Sequence, residues 1–268
     1  MREFKSQFGF LTFAQNTTDV DYLNLAYEQA KNIKQTQKSN EYAVVVDSST
    51  AKLVTEEHRQ VFDHVIELTI DYANNEDWKL SNEWQAFWLT PFKETIKLES
   101  DLLFTGDISH WLPALRLKEI CLSYHCRDHH NNIVEDSAYR NLFKINDLPD
   151  VYNGMMYFRF SQTATDFFKT ARDIYQNWDQ VKQQLKNYDK RPTTDVVYAI
   201  TAKIIGEENC IIPTLDFFNF VHMKPQIQGW NEDQPWRDHV LVEHDNNMIR
   251  INNLNQYQPV HYYDKTFI

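Results

Sequence analysis

Residues 94–107 form a run of mostly apolar and β-branched side chains interrupted by two carboxylates, Glu99 and Asp101, two positions apart. Successive side chains of a strand point to opposite faces, so a strand carried through this point places Glu99 and Asp101 on one side and turns Ser100 away. Two carboxylates aimed at one point repel unless a cation lies between them. Hard divalent ions such as Mg²⁺ and Mn²⁺ accept oxygen ligands of this kind and share their remaining positions with substrate phosphates. The spacing points to a metal and phosphate site; its plain alternative is a solvated acidic turn.

Other devices for such chemistry are missing from the sequence. There is no Walker loop, no glycine-rich dinucleotide fingerprint and no Gly-x-Ser-x-Gly elbow. Arg127, Asp128, His129 and His130 follow a candidate strand and could line a pocket. The histidines lack the cysteine or glutamate partners of a tetrahedral zinc site, so a polar loop is expected there.

The elements needed to position the carboxylates are legible in outline. Residues 8–14 are an apolar run suited to a buried strand, followed by a polar loop and helix cap from Gln15 to Asp19. Leu23, Ala26, Tyr27 and Ala30 then recur at helical spacing. A second strand spans 42–46 and ends at Asp47-Ser48-Ser49; a third is expected near 64–68, and a helix over 82–89 carries Trp84, Phe87 and Trp88. Strand, helix, strand is the opening of a wound α/β sheet. Ligands of such sheets bind beyond the carboxyl ends of the strands, where Gln15, Asn16, Asp47, Glu99 and Asp101 would lie.

The remainder reads as less regular α+β. Strands are expected near 119–125 and over 155–160, a long helix after Ser161, a helix capped by Thr193 or Thr194 and running to Ile205, and short strands near 217–222, 238–243 and 248–251.

At 268 residues the chain can bury a substantial core, and 14% aromatic content supports a packed interior. Only 5 Gly and 8 Pro leave no room for a flexible linker. The net charge of −11 argues against a general polyanion or membrane-surface binder. One basic cluster, Lys182, Lys186, Lys190 and Arg191, is expected to be a solvated helix face. Cys121, Cys126 and Cys210 lack disulfide or zinc spacing, which predicts reduced thiols in a cytosolic compartment. No stretch has signal-peptide form and none approaches the roughly 20 apolar residues of a membrane span; a soluble, cytoplasmic protein is expected.

The stretch from Leu89 to Ile108 contains Pro91-Phe92-Lys93, an apolar strand, Glu99-Ser100-Asp101, a second apolar run and Gly106-Asp107. It resembles the metal-binding signature of the glycogenin-like enzymes of glycosyltransferase family 8 and the bacterial galactosyltransferases grouped with them. Glu99 stands where that family usually has Asp. Tyr152-Asn153-Gly154 resembles the family's segment that turns the backbone beside the donor sugar. Asp195 lies where these enzymes often carry an acid near the reacting sugar. Pro259 to Lys265 is similar to the family's late His-x-x-Gly-x-x-Lys element, without the glycine and with Lys265 four residues after His261.

The resemblance implies a GT-A-like, Rossmann-like α/β fold: a single domain, 1–268, with a mixed central sheet flanked by helices. A nucleotide-sugar half would cover about 1–107 and an acceptor-side half about 108–268. It implies Mn²⁺ or Mg²⁺ held by Glu99, Asp101 and His261, with His222 as the rival third ligand. It implies a nucleoside-diphosphate sugar donor, a UDP-sugar foremost, contacted by Phe13, Gln15, Asn16, Asp47, Lys93, Ser100, Gly154 and Lys265. Asp195 and Asn153 are the implied catalytic groups of a hexosyl- or pentosyltransferase acting with retention. The appearance is also similar to proteins of large tailed phages, in a phage-infected or ordinary bacterial cytoplasm. Glycan, protein and hydroxylated DNA base are all acceptor candidates, DNA being disfavoured by the charge. Nothing in the sequence specifies the acceptor or an oligomeric state. The competing readings are a non-catalytic nucleotide-sugar-binding or structural protein on the same fold, and a nucleotidyltransferase.

Overall fold

The computed structural model describes residues 3–73, 76–135, 137–188, 190–212, 218–231, 233–245 and 247–268. Its strands are, in chain order, β1 Ser6–Phe13, β2 Tyr42–Val46, β3 His64–Glu67, β4 Phe92–Leu98, β5 Leu102–Leu103, β6 Ile120–Tyr124, β7 Val151–Arg159, β8 Val221–His222, β9 Val242–Asp245, β10 Met248–Ile251, β11 Leu254–Gln256 and β12 Val260–His261. Six of them form the central sheet, in the order β3-β2-β1-β4-β7-β6. β1 to β4 run parallel; β7 is antiparallel to β4 and β6 antiparallel to β7. Strands from both sides of residue 107 thus share one mixed sheet.

Side-chain alternation explains the layers. Every residue of β2 is buried, as befits a parallel strand covered on both faces. Tyr42, Val44 and Val46 pack with Leu23, Ala26, Ala30 and Ile33 of the helix Tyr22–Thr36. Ala43 and Val45 face the other layer, where Met156 and Phe158 of β7 meet the helices Gln162–Gln176 and Thr194–Ile205 through Phe167, Phe168, Val196 and Tyr198. These helices begin at side-chain caps: Asp21 accepts from Asn24 N, Ser161 from Ala164 N and Thr193 from Val196 N. The three cysteines are buried free thiols. Among the described residues, no helix is long and apolar enough to cross a membrane.

The short strands fix the site. β12 pairs antiparallel with β5 and parallel with β8, so His261 lies opposite both Leu102 and His222. Tyr262 N donates to Asp101 O at 3.0 Å, and a third apolar cluster under this sheet contains Leu103, Val221, Trp236, Val260 and Tyr262. Both β11 and β12 escape sequence periodicity because two or three residues carry no pattern. The helix Ala138–Ile145, capped by Ser137, was also not expected.

Three expectations need correction. The region 82–89 is a 3₁₀ segment, Lys79–Gln85, continued by a short α-helix, Ala86–Leu89. The expected strand near 217–222 is β8 alone, with residue 217 outside the described residues. Tyr152-Asn153-Gly154 is not a turn but part of β7, where the pairing with β6 slips between Leu122–Met156 and Ser123–Tyr152. At Gly154 a Cβ would meet the Phe220 ring at 2.6 Å, so the missing side chain makes room for an aromatic ring of the core. Gly154→Ala should therefore lower unfolding free energy by about 1–3 kcal/mol, the usual cost of overpacking, in a denaturant titration. Gly106→Ala, which meets nothing within 4 Å, should stay within about 0.5 kcal/mol of the parent.

Candidate functional site

A cleft of about 950 Å³ opens at the carboxyl ends of β1 and β4 and reaches Glu99, Ser100, Asp101, His261 and Lys265. β4 ends at Leu98, so the two carboxylates project from the turn that follows it and not from the strand itself. They converge nonetheless. One ligand atom from each of Glu99, Asp101 and His261 lies within 4.8 Å of the others. His261 Nε2 is 2.8 Å from Glu99 Oε2 and 3.0 Å from Asp101 Oδ1, and the Lys265 ammonium is bonded to Asp101 Oδ2. Between His261 and Lys265 the backbone bends sharply: Tyr263 has φ 57°, and Asp264 N donates to Tyr262 O at 2.5 Å. A non-glycine residue in this region is a costly conformation, and here it lets both side chains turn toward the same carboxylate.

Electrostatics follow from this packing. Burial works against charge on His261, but Asp101 and Glu99 raise it to about 9. Burial opposes ionisation of Asp101 and Glu99 in turn, and the imidazolium prevails, holding both below the usual carboxylate range. His222 lies behind His261, in contact through the two Nδ1 atoms, with its Nε2 2.7 Å from Tyr152 OH. Burial and the neighbouring imidazolium keep His222 neutral, well below the usual histidine value. His222 therefore orients His261; it is not the third member of the cluster.

No protein-family profile and no curated protein sequence matches the chain. Solved structures do. Mouse xyloside xylosyltransferase 1, in its apo form, superposes with a TM-score of 0.56 at 10% identity, over 98% of this chain and 99% of that one. The galactosyltransferase LgtC, in complex with donor and acceptor sugar analogues, gives 0.54 at 12% identity over 95% and 87%. An active-site mutant of LgtC gives 0.53 over the same shares. The chain has a GT-A fold.

Within the GT-A fold, the residues expected to touch the donor divide sharply. Phe13, Gln15, Ser100 and Lys265 line the cleft. Asn16 is spent on the helix start, accepting from Leu23 N at 2.8 Å and donating to Asp21 at 2.9 Å. Asp47 is buried as the cap of Ser48–Ala51, with Lys79 Nζ 3.4 Å away. Lys93 is exposed near the amino end of β4, far along the strand from Leu98. Gly154 faces Phe220. None of these four lines the cleft, and neither does the segment Arg127 to His130.

The two expected catalytic groups are both engaged. Asn153 is 1% exposed; its amide nitrogen donates to Glu83 Oε2 at 2.7 Å and Glu99 Oε1 at 3.2 Å, and its oxygen accepts from Lys97 at 3.0 Å. Asp195 lines the cleft, but it accepts from Asn153 N at 2.8 Å, from Tyr139 OH at 3.0 Å and from Arg140 at 3.1 Å. Burial raises its carboxyl, and the guanidinium offsets this only in part. Sequence reasoning missed Arg140 and Lys97, both fully buried cations. The signal available was a lysine inside an apolar strand, which demands a buried anion.

Asp195→Ala leaves the Arg140 guanidinium, 2% exposed, with Asp150 as its remaining carboxylate at 2.6 Å. Uncovering a buried ion in this way should cost about 3 kcal/mol of stability. An unchanged denaturation midpoint would contradict the bracing role.

Proposed function

We propose that the protein is a metal-dependent glycosyltransferase, moving a sugar from a nucleoside-diphosphate sugar, a UDP-sugar first, to a hydroxyl acceptor with retention. One observation carries this reading: Glu99, Asp101 and His261 converge, with Lys265 beside them, at the head of the cleft of a GT-A fold. Their donor set of two carboxylate oxygens and one imidazole nitrogen fits Mn²⁺ or Mg²⁺. Two carboxylates this close need positive charge between them; an imidazolium supplies it here, and a divalent ion would take the place of its Nε2 proton, since only the neutral ring ligates. Such an ion, when bound, supplies Lewis acidity and a template for the diphosphate.

The chain's own groups account for the rest. Lys265 stands ready to neutralise phosphate charge that grows as the sugar–phosphate bond breaks. His222 and Tyr152 hold the imidazole of His261 so that Nε2 faces the carboxylates. Asn153 and Asp195 act as positioning groups, the first bracing Glu99, the second anchoring Asn153 N and Arg140. Farther out, Tyr139, Tyr188 and Tyr263 line the cleft. Aromatic faces suit the apolar faces of an acceptor sugar. A DNA acceptor gains no support from the basic cluster, since Lys182 pairs with Asp179 at 2.7 Å and Arg191 with Glu76 at 3.3 Å.

The test is release of nucleoside diphosphate from a panel of nucleotide sugars in Mn²⁺ or Mg²⁺. Release from at least one donor is expected. Asp101→Ala should lower it by about a hundredfold or more, given the few kcal/mol an ion supplies, and excess EDTA should do the same to the parent. Full activity of Asp101→Ala in EDTA would refute the assignment.

A further inference from the structure

Lys97 lies in the central strand β4 and is 0% exposed, in a position where its neighbours Ile96 and Leu98 are apolar core. An isolated ammonium there would be prohibitively costly. Its counter-ion is Glu83, whose Oε2 is 2.8 Å from Lys97 Nζ and also accepts from Asn153 Nδ2 at 2.7 Å. All of the hydrogen bonding of Glu83 among the described residues falls on Oε2. Among these residues Oε1 accepts no hydrogen bond, and Glu83 lines the cleft.

The location of that carboxylate is informative. Asn153 Nδ2 donates to Glu83 on one side and to Glu99 Oε1, at 3.2 Å, on the other, so the two bonded carboxylate oxygens are at most about 6 Å apart. In a nucleotide sugar the sugar is bonded directly to the diphosphate. With the diphosphate at Glu99 and Asp101, a group one amide away from Glu99 is within reach of the sugar bonded to it. The buried carboxylates around it are committed, Asp195 to Asn153, Tyr139 and Arg140, Asp101 to His261 and Lys265, and Glu99 to His261 and Asn153, while Asp77 at the cleft's edge is exposed.

We propose that Glu83 is the donor-specificity residue, its Oε1 accepting a hydrogen bond from a hydroxyl of the transferred sugar. The inference rests on the transferase reading. It selects sugars with a free neutral hydroxyl at that point and rejects those lacking it or carrying a carboxylate there, which would face Glu83 as a like charge.

The experiment uses the full chain in Mn²⁺ with the nucleotide sugar whose nucleoside diphosphate is released. Dissociation constants for that donor and for the free nucleoside diphosphate are measured by calorimetry on the parent, on Glu83→Gln, and on Glu83→Gln combined with Lys97→Met, which removes both buried charges together. Both variants should bind the donor roughly ten- to hundredfold more weakly, the worth of a hydrogen bond to a charged acceptor, with nucleoside diphosphate affinity unchanged within about threefold. A deoxy donor lacking the contacted hydroxyl should lose the same factor on the parent and nothing further on Glu83→Gln. Equal weakening of both ligands, or of neither, would overturn the inference alone. Absence of nucleoside diphosphate binding to the parent would overturn the transferase reading and this inference together.

Discussion

Four carboxylates, Glu83, Glu99, Asp101 and Asp195, are gathered at the end of one strand, and charge of one sign cannot be concentrated in a half-dry cleft without compensation. Each has its own cation. Lys97 serves Glu83, His261 bridges Glu99 and Asp101, Lys265 closes on Asp101, and Arg140 holds Asp195. Asn153 joins three of these units: its amide touches Glu83, Glu99 and Lys97, and its backbone N–H donates to Asp195. Shifting one group changes the field at the rest, so the floor of the cleft behaves as a unit.

This matching explains why some elements were readable in the sequence and others were not. The wound sheet was, because β2 is an unbroken apolar run and the helix after Ser161 repeats its aromatic residues at helical spacing, and both patterns report burial. The end of β4 departs from the same logic: strand alternation puts Glu99 and Asp101 on one face, whereas the strand stops at Leu98 and the turn brings them together. The direction of the inference survived because a tight turn can aim alternate side chains at one point as well as a strand can.

Among the candidate site residues, the convergence of Glu99, Asp101 and His261 and the placement of Ser100 and Lys265 beside the cleft are legible from residue type and motif order. Asn153, Gly154, Asn16 and Lys93 were legible only as types. Whether an asparagine faces a ligand or braces a carboxylate depends on partners distant in sequence, here Glu83 and Glu99, 70 and 54 residues away. Glu83 escaped notice for the same reason. It sits in a 3₁₀ segment with no motif around it, and its meaning comes from Lys97 across the sheet.

The separations also bear on how the site forms. Asp101 and His261 are 160 residues apart, Asp101 and Lys265 164, and contacts this distant in sequence carry a large closure entropy before they are rewarded. β12, only two residues long, delivers His261, and the turn through Tyr263 delivers Lys265. Neither could hold its place by its own hydrogen bonds; pairing with β5 and β8 and the apolar cluster around Trp236 and Tyr262 hold them. Until that small sheet closes, Glu99 and Asp101 face each other with two of their cations missing. The same attraction that would gather a divalent ion thus also draws the final strand in between β5 and β8, which ties completion of the fold to completion of the site.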